Sequence, residues 1–273
     1  MPREVCSVPR MRVLLLCLIC LLSPQFAFSM CHGQDACPLG ERSYHVRTPD
    51  GWDGESDLPV ILHFHGWARQ GDLIVKHQRI AGATRRRGVL LVAPNGNGRS
   101  WDFWRAGTPD VAFARAVLAD VKARYPVDDA HIFVSGYSWG AAMAWRFVCE
   151  DGADIAALLS ISGTLSQTES CQTAPGQVRH VHGLRDTVMD FPTGPNGERS
   201  WPVKLWRDAY ECQEGRAVGT WQAVSFLTHS RTEWTRCKTG AVTLDVHPGG
   251  HFIPHGWIAR QLDELLGLPL AYP

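Results

Sequence analysis

A serine lies midway between two glycines in the segment VSGYSWGAA, residues 134–142. Gly136 comes two residues before Ser138, and Gly140 comes two residues after it. A nucleophilic serine on a tight strand-to-helix turn needs small residues at these positions, because the strand and helix backbones come close together there. The pattern indicates a nucleophile elbow formed by Gly136 and Gly140 around Ser138. The alternative is a glycine-rich turn that contains a serine by chance.

A serine hydroxyl becomes a strong nucleophile when a base accepts its proton and an acid orients that base. Downstream segments supply both in the chain order Ser, Asp, His that strand–turn–helix nucleophiles use. Asp186 lies in VHGLRDTVMD and His251 lies in DVHPGGHFIPHGW, each after a predicted strand. We therefore predict that Ser138, Asp186 and His251 are catalytic, with Asp190 as an alternative acid.

Acyl transfer also needs N–H donors for the negative charge that develops on the substrate oxygen. One expected donor is the backbone N–H of Trp139, the residue after the nucleophile. The segment HFHGWARQGD ends an early predicted strand, and Gly66 allows a tight turn that directs the N–H of Trp67 inward. We predict an oxyanion hole at Trp67 and Trp139. The alternative for His65-Gly66 is an ordinary turn at the end of a strand.

Histidine spacing raises the alternative of a metal site. His247, His251 and His255 follow at intervals of four residues, but a proline and glycines between them would break a helix that aligned them. His63 and His65 share one face of a predicted strand, without a third ligand in the sequence nearby. We expect no metal and no cofactor, because the serine chemistry requires neither.

The candidate catalytic residues need strands that end at one edge of a sheet. Apolar segments predict strands at 58–66, 88–96, 131–136, 155–163, 178–183 and 241–250. Helical spacing predicts a helix between Pro109 and Pro126, helix-forming residues predict another at 139–151, and a closing helix is expected at 255–267. Continuous apolar strands alternating with helices predict an α/β fold with a mostly parallel central sheet and helices on both faces. Residues 187–238, rich in tryptophan, are expected to form an irregular excursion from that domain.

The N-terminal segment has the pattern of a secretory signal peptide. Three arginines precede an apolar run of ten residues, Val13–Leu22, and Ala27-Phe28-Ser29 supplies a small-x-small cleavage site. Ten residues are too short to cross the ~30 Å hydrocarbon layer as a helix. We predict a signal peptide at 1–29, a single catalytic domain at 30–273, no membrane span after cleavage, and a secreted or periplasmic location. The alternative is an uncleaved membrane anchor.

Six cysteines remain beyond residue 29, an even number that suits disulfides in an exported chain. Six cysteines allow about fifteen pairings. We favour the pairs closest in sequence, Cys31–Cys37, Cys149–Cys171 and Cys212–Cys237. Zinc ligation is the alternative, but no two of these six cysteines form a C-x-x-C pair.

The overall charge is balanced. The chain has 27 Lys and Arg residues against 27 Asp and Glu residues, so no excess of either sign attracts an oppositely charged polymer. This argues against nucleic acid as a partner. The sequence does not predict the oligomeric state.

Several segments resemble one enzyme family. They are GERSYHVRTPDGW, LHFHGWARQGD, YPVDDAHIFVSGYSWGAAMAWRFVCE, VHGLRDTVMDF and PGGHFIP, and together they cover most of residues 38–255. They are similar to segments of the polyhydroxybutyrate depolymerase-like esterases, a group of α/β-hydrolases that includes feruloyl and acetylxylan esterases. The resemblance implies an α/β-hydrolase fold, with Ser138 as nucleophile, Asp186 as acid, His251 as base, and Trp67 and Trp139 at the oxyanion site.

Both tryptophans depart from that family's pattern. Its members more often carry a small or polar residue at the position of Trp67 and asparagine at that of Trp139. The backbone donors are unaffected by these changes, but the walls of the substrate pocket become bulkier.

The resemblance predicts a secreted serine esterase that hydrolyses carboxylic esters through an acyl-enzyme. The first hypothesis is a polyhydroxybutyrate depolymerase-like enzyme whose partner is a small or oligomeric hydroxyalkanoate ester. The alternative is a feruloyl or acetylxylan type of esterase on plant-wall esters, whose phenolic rings could stack on the tryptophans. A third hypothesis is a non-catalytic polymer-binding protein of the same fold.

Overall fold

The computed structural model describes Met1 and residues 31–272, so the predicted signal peptide lies, apart from Met1, outside the described residues. The strands are Cys37–Leu39 (β1), Arg42–Arg47 (β2), Leu58–Phe64 (β3), Leu90–Pro94 (β4), Val127–Tyr137 (β5), Ala157–Ile161 (β6), Gln177–Gly183 (β7), Arg216–Val224 (β8), Leu227–Trp234 (β9) and Ala241–His247 (β10). The α-helices are Gly71–Ile74 (α1), Ala81–Arg85 (α2), Pro109–Arg124 (α3), Trp139–Asp151 (α4), Lys204–Ala209 (α5) and Trp257–Leu265 (α6). Short 3-10 helices cover Asn97–Arg99 and Trp201–Val203.

The strands form one sheet in the order β1-β2-β4-β3-β5-β6-β7-β10-β9-β8. Its centre, from β4 to β10, is parallel throughout. Antiparallel pairs extend both edges: β1 and β2 on one side, β9 and β8 on the other. The predicted mostly parallel sheet is confirmed, and the loops that follow β3, β5, β7 and β10 all emerge at its carboxyl edge.

Helices cover both faces of the sheet, because each central strand sends alternate side chains to opposite sides. Val60, Leu62 and Phe64 of β3 pack into a core cluster that also contains buried residues of α3, α4 and α5. Ile61 of the same strand packs into the cluster on the other face, with residues of α1, α2 and α6. Apolar residues at every position, rather than at every second one, are what burial of both faces requires.

Some elements differ from the sequence expectations. The predicted helix at 139–151 has the observed bounds of α4, whereas β5 begins at Val127, four residues before the predicted strand. The segment 187–238 is more regular than expected, since β8 and β9 form a hairpin that extends the main sheet. The short strands β1 and β2 were not predicted.

Three disulfides join Cys31 to Cys37, Cys149 to Cys171, and Cys212 to Cys237. These are the pairs that the sequence argument favours. The second ties the end of α4 to the loop before β7, and the third closes the segment that contains β8 and β9. None of the helices in the described residues is both long and apolar enough to traverse a lipid bilayer.

Candidate active site

Ser138 lies on the turn between β5 and α4, with φ 58° and ψ −125°. A residue other than glycine is strained when its backbone φ is positive, and such strain persists where the surrounding structure imposes it. The Ser138 N–H donates to the Ile161 carbonyl of β6, at 2.9 Å, and the Ser138 carbonyl accepts from the N–H groups of Ala141 and Ala142. These bonds hold the serine backbone on both sides of the turn.

The two predicted glycines are there because the backbones around the turn leave no room for a side chain. A Cβ at Gly136 would lie 2.1 Å from the Gly140 carbonyl oxygen. A Cβ at Gly140 would lie 2.1 Å from the Phe64 carbonyl oxygen of β3. A third glycine, Gly163 after β6, was not predicted; a Cβ there would lie 2.3 Å from the Ser138 carbonyl oxygen.

Asp186 and His251 come together from the loops after β7 and β10, which are adjacent parallel strands. Asp186 Oδ2 lies 2.6 Å from His251 Nδ1, and its other oxygen accepts hydrogen bonds from the N–H groups of Val188 and Met189. Burial by itself would raise the pKa of Asp186. The hydrogen bonds from His182, His251 and the two N–H groups outweigh that effect and lower the pKa well below its ordinary value. Asp186 is therefore a carboxylate that accepts the Nδ1–H of His251.

A second histidine contacts the same carboxylate. His182 Nε2 lies 2.8 Å from the Met189 carbonyl oxygen and 3.4 Å from Asp186 Oδ2. His180 lies two residues before His182 on β7. Both are buried, and His180 Nε2 lies 3.2 Å from His182 Nδ1.

Tyr137, the residue before Ser138, joins the histidine loop to the nucleophile turn. Its ring centroid is 4.8 Å from that of His251, and its hydroxyl donates to the His251 carbonyl at 3.1 Å. No hydrogen bond in the described residues joins the Ser138 hydroxyl to the His251 ring. Catalytic hydrogen bonds are often long in a free enzyme and tighten when substrate binds.

The candidate oxyanion loop is oriented by His65. This buried histidine accepts from the Gly96 N–H at Nε2, so its Nδ1–H donates to the Gly66 carbonyl, 2.8 Å away. Burial lowers the pKa of His65 to about 4 and keeps it neutral. Because the carbonyl and N–H of a trans peptide point in opposite directions, this bond directs the Trp67 N–H away from His65. Neither the Trp67 N–H nor the Trp139 N–H donates to another group in the described residues.

An aromatic cluster surrounds the turn, and Trp67 and Trp139 are the members that the sequence predicts at the site. The Trp139 ring centroid is 6.0 Å from that of Trp67 and 5.7 Å from those of Trp104 and Phe103. Trp67 and Trp104 are 64% and 68% exposed, which is unusual for such large apolar side chains. Trp104 lies in the loop between β4 and α3, and its position after a predicted strand was the available signal.

The other candidate residues lie elsewhere. Asp190 is exposed, and no contact in the described residues joins it to His251. His247 Nδ1 accepts from the Gly249 N–H, and His255 Nε2 accepts from Arg79. His63 bonds to the Ser135 hydroxyl at 3.0 Å. Within residues 31–272, no three His, Cys, Asp or Glu side chains are grouped so that they could hold a metal ion.

Comparison with known proteins finds that parts of this chain are similar to proteins named as esterases. No protein-family model matches the chain. Feruloyl esterase C of Emericella nidulans is 30% identical over 162 residues, which are 57% of this chain and 59% of that enzyme. A bifunctional acetylxylan esterase/xylanase of Neocallimastix patriciarum is 25% identical over 173 residues, 63% of this chain and 24% of that protein. The chain thus spans less than two thirds of the length of these curated relatives.

The solved structures establish the fold. The acetyl xylan esterase from Aspergillus awamori superposes with a TM-score of 0.59 at 13% identity, over 83% of this chain and 94% of that chain. At this identity the likeness concerns the architecture alone. The parallel sheet, the strained serine turn after β5 and this superposition together show that the chain has the α/β-hydrolase fold.

Proposed function

We propose that this protein is a serine esterase that hydrolyses carboxylic esters through an acyl-enzyme. Two observations together support the proposal. Ser138 lies in a strained conformation at the end of β5. His251 Nδ1 lies 2.6 Å from Asp186 Oδ2, and these two residues follow adjacent strands of the same sheet. This combination is the arrangement that activates a serine hydroxyl.

The geometry supports a two-step reaction. Asp186 accepts the Nδ1–H of His251 and so leaves Nε2 as the acceptor for the Ser138 proton. Ser138 then attacks the ester carbonyl, and the N–H groups of Trp67 and Trp139 stabilise the oxyanion. Trp139 is the first residue of α4, where the helix dipole adds to that stabilisation. His251 passes the proton to the departing alcohol, and water, deprotonated by the same histidine, then releases the acid.

For the substrate, we propose esters of plant-wall polysaccharides, of the feruloyl or acetylxylan type. The names of the relatives favour this over the hydroxyalkanoate hypothesis. The aromatic cluster of Trp67, Trp104 and Trp139 supports it as well, because flat apolar walls suit phenolic and sugar rings. The proposed partner is therefore a small or oligomeric ester.

We also propose that the protein works outside the cytoplasm. The three disulfides support this location, because disulfides persist in oxidising compartments. The N-terminal segment with the pattern of a signal peptide points the same way.

The proposal is tested with a panel of p-nitrophenyl acetate, methyl ferulate, acetylated xylooligosaccharides and hydroxybutyrate oligomers, on wild type and Ser138→Ala. We expect wild-type activity on the first three, and a loss of about 10³-fold or more in kcat for Ser138→Ala. A fluorophosphonate probe should label wild type and leave Ser138→Ala unlabelled. Retention of most activity in the variant would refute Ser138 as nucleophile, and wild type that neither turns over nor reacts with the probe would favour the non-catalytic hypothesis. Faster turnover of hydroxybutyrate oligomers than of the plant-wall esters would restore the first substrate hypothesis.

A further inference from the structure

A cavity of about 400 Å³ begins beside the aromatic cluster. Trp104 lines it and also contacts Trp139, the residue that follows the nucleophile. Its inner wall is Trp101, whose Nε1–H donates to the His65 carbonyl at 2.8 Å. The cavity is therefore connected through Trp101 to the segment that precedes Trp67, and through Trp104 to Trp139.

The walls of this cavity combine an exposed indole with many hydrogen-bonding groups. Asn97, Ser100 and Asp102 line it together with Trp104. The indole supplies an apolar face, while the amide, hydroxyl and carboxylate supply donors and acceptors. A ligand that matches both needs a flat C–H face and hydroxyl groups around its rim.

The charges around the cavity are already neutralised in pairs. Arg42 lies 2.6 Å from Asp110, and Arg105 lies 3.2 Å from Asp102. Arg42 also donates to the Asn95 carbonyl, so its guanidinium is held in place. Since each cation in this wall has its carboxylate, the site fits a neutral ligand better than an ion.

A second cavity borders the first. A neighbouring cavity of about 470 Å³ shares Arg42 and Asn97 with it and leads away from Trp104 towards Gln70. Each of the two is large enough for a small ligand on its own. Two bordering cavities that share polar side chains suit consecutive units of one chain molecule.

We propose that these cavities are a binding site for a neutral oligosaccharide, the polysaccharide part of the ester. The inference rests on the proposed function for its biological sense, because it assigns the alcohol side of the substrate to Trp104 and the cavities beyond it. A sugar stacked on Trp104 lies one aromatic contact from Trp139, so an ester that it carries is directed to Ser138. The second cavity then holds the next sugars of the chain.

The test uses Ser138→Ala and unesterified xylohexaose, so that binding is measured without turnover. By isothermal titration calorimetry we expect saturable binding of xylohexaose, and weaker binding of xylobiose because it cannot fill both cavities. Trp104→Ala in the same background should weaken xylohexaose binding about tenfold, since the stacking face is lost. Asn97→Ala should weaken xylohexaose binding more than xylobiose binding. Phe226→Ala is the matched control, because Phe226 is a 75% exposed aromatic residue that lines neither cavity.

The outcomes separate this inference from the proposed function. Absence of xylohexaose binding, or equal affinity in Trp104→Ala and Phe226→Ala, overturns the oligosaccharide site even if wild type is an active esterase. Tighter binding of trigalacturonic acid than of xylohexaose overturns the assignment to a neutral ligand. Oligosaccharide binding that depends on Trp104, in a wild-type protein without esterase activity, supports the site while refuting the proposed reaction. Thermal unfolding of each variant checks that the exposed side chain was removed without loss of the fold.

Discussion

At the scale of single residues, the candidate site depends on how Asp186 is kept charged although it is buried. An isolated buried carboxylate becomes protonated, because burial disfavours its ionised form. Asp186 escapes this through four donors, two backbone N–H groups and the rings of His182 and His251. The carboxylate can therefore fix the His251 ring with Nδ1 towards it at every pH at which the enzyme would work.

This leads to a prediction that separates Asp186 from the alternative acid, Asp190. We expect Asp186→Asn to lower kcat for p-nitrophenyl acetate by about 10³–10⁴-fold, because the amide no longer selects the His251 tautomer that leaves Nε2 free. Asp190→Asn is the matched control and should keep wild-type kcat, since its side chain is exposed. A comparable loss in Asp190→Asn, or near-normal turnover in Asp186→Asn, would show that the acid is assigned to the wrong residue.

The sequence marked candidate site residues by local spacing and by chain order, whereas some contacts between distant loops left no such mark. Gly136, Ser138 and Gly140 have the spacing of a nucleophile elbow, and Asp186 and His251 follow predicted strands in the expected chain order. Trp104 reaches the site from a loop 34 residues before Ser138, and its position after a predicted strand does not by itself reveal the contact with Trp139. His182 precedes Asp186 by four residues, but only the course of the loop after β7 brings its ring to the carboxylate.

At the scale of elements, the close approach of β5 and α4 leaves no room for larger residues at the glycines of the turn between them. We predict that Gly136→Ala lowers the free energy of unfolding by about 2–3 kcal/mol, because the new Cβ meets backbone atoms of Gly140 that cannot move aside. Gly82→Ala is the control. Gly82 lies inside α2, and a Cβ there meets the flexible ends of the Gln78 and Arg86 side chains. Alanine also favours a helix by about 1 kcal/mol over glycine. Urea unfolding of both variants measures the difference, and equal stability of the two would contradict the steric explanation.

Some secondary-structure elements were predicted from the sequence, and others were not. The central strands are continuous apolar runs and α4 consists mostly of helix-forming residues, so the sequence identified both. Strand β9 was missed because its buried face carries His229 and Arg231 instead of apolar residues. Arg231 pairs with buried Asp245, which also accepts from Trp221 and Trp257, and these partners lie on β10, β8 and α6. A polar face that is satisfied only by other elements cannot be recognised from the strand's own sequence.

At the scale of the whole molecule, the interior contains several histidines that must stay neutral for the chain to fold. His63, His65, His229 and His247 are buried. Burial is the main cause that lowers the pKa of His63 to about 3 and of the other three to about 4. In the unfolded chain a histidine has a pKa of about 6.5. Between pH 6.5 and about 4 the unfolded state therefore binds more protons than the folded one.

The free energy of unfolding must then fall as the pH falls through that window, because protonation favours the state that takes up more protons. Each buried histidine contributes up to about 1.4 kcal/mol per pH unit below pH 6.5. We predict that the urea concentration at the midpoint of unfolding decreases from pH 7.5 to 6.0 and again to 5.0. These pH values lie above the range in which carboxylates titrate.

His229→Phe keeps the stack on Trp221, whose ring lies 4.1 Å away and nearly parallel. The substitution removes one of the groups that make the unfolded state bind more protons than the folded state. Its stability should therefore decrease less steeply with acidification than that of wild type. His32→Gln, at an exposed position, should follow the wild-type curve. Identical pH dependence in His229→Phe and wild type would show that this ring is not among the groups that make the fold sensitive to acid.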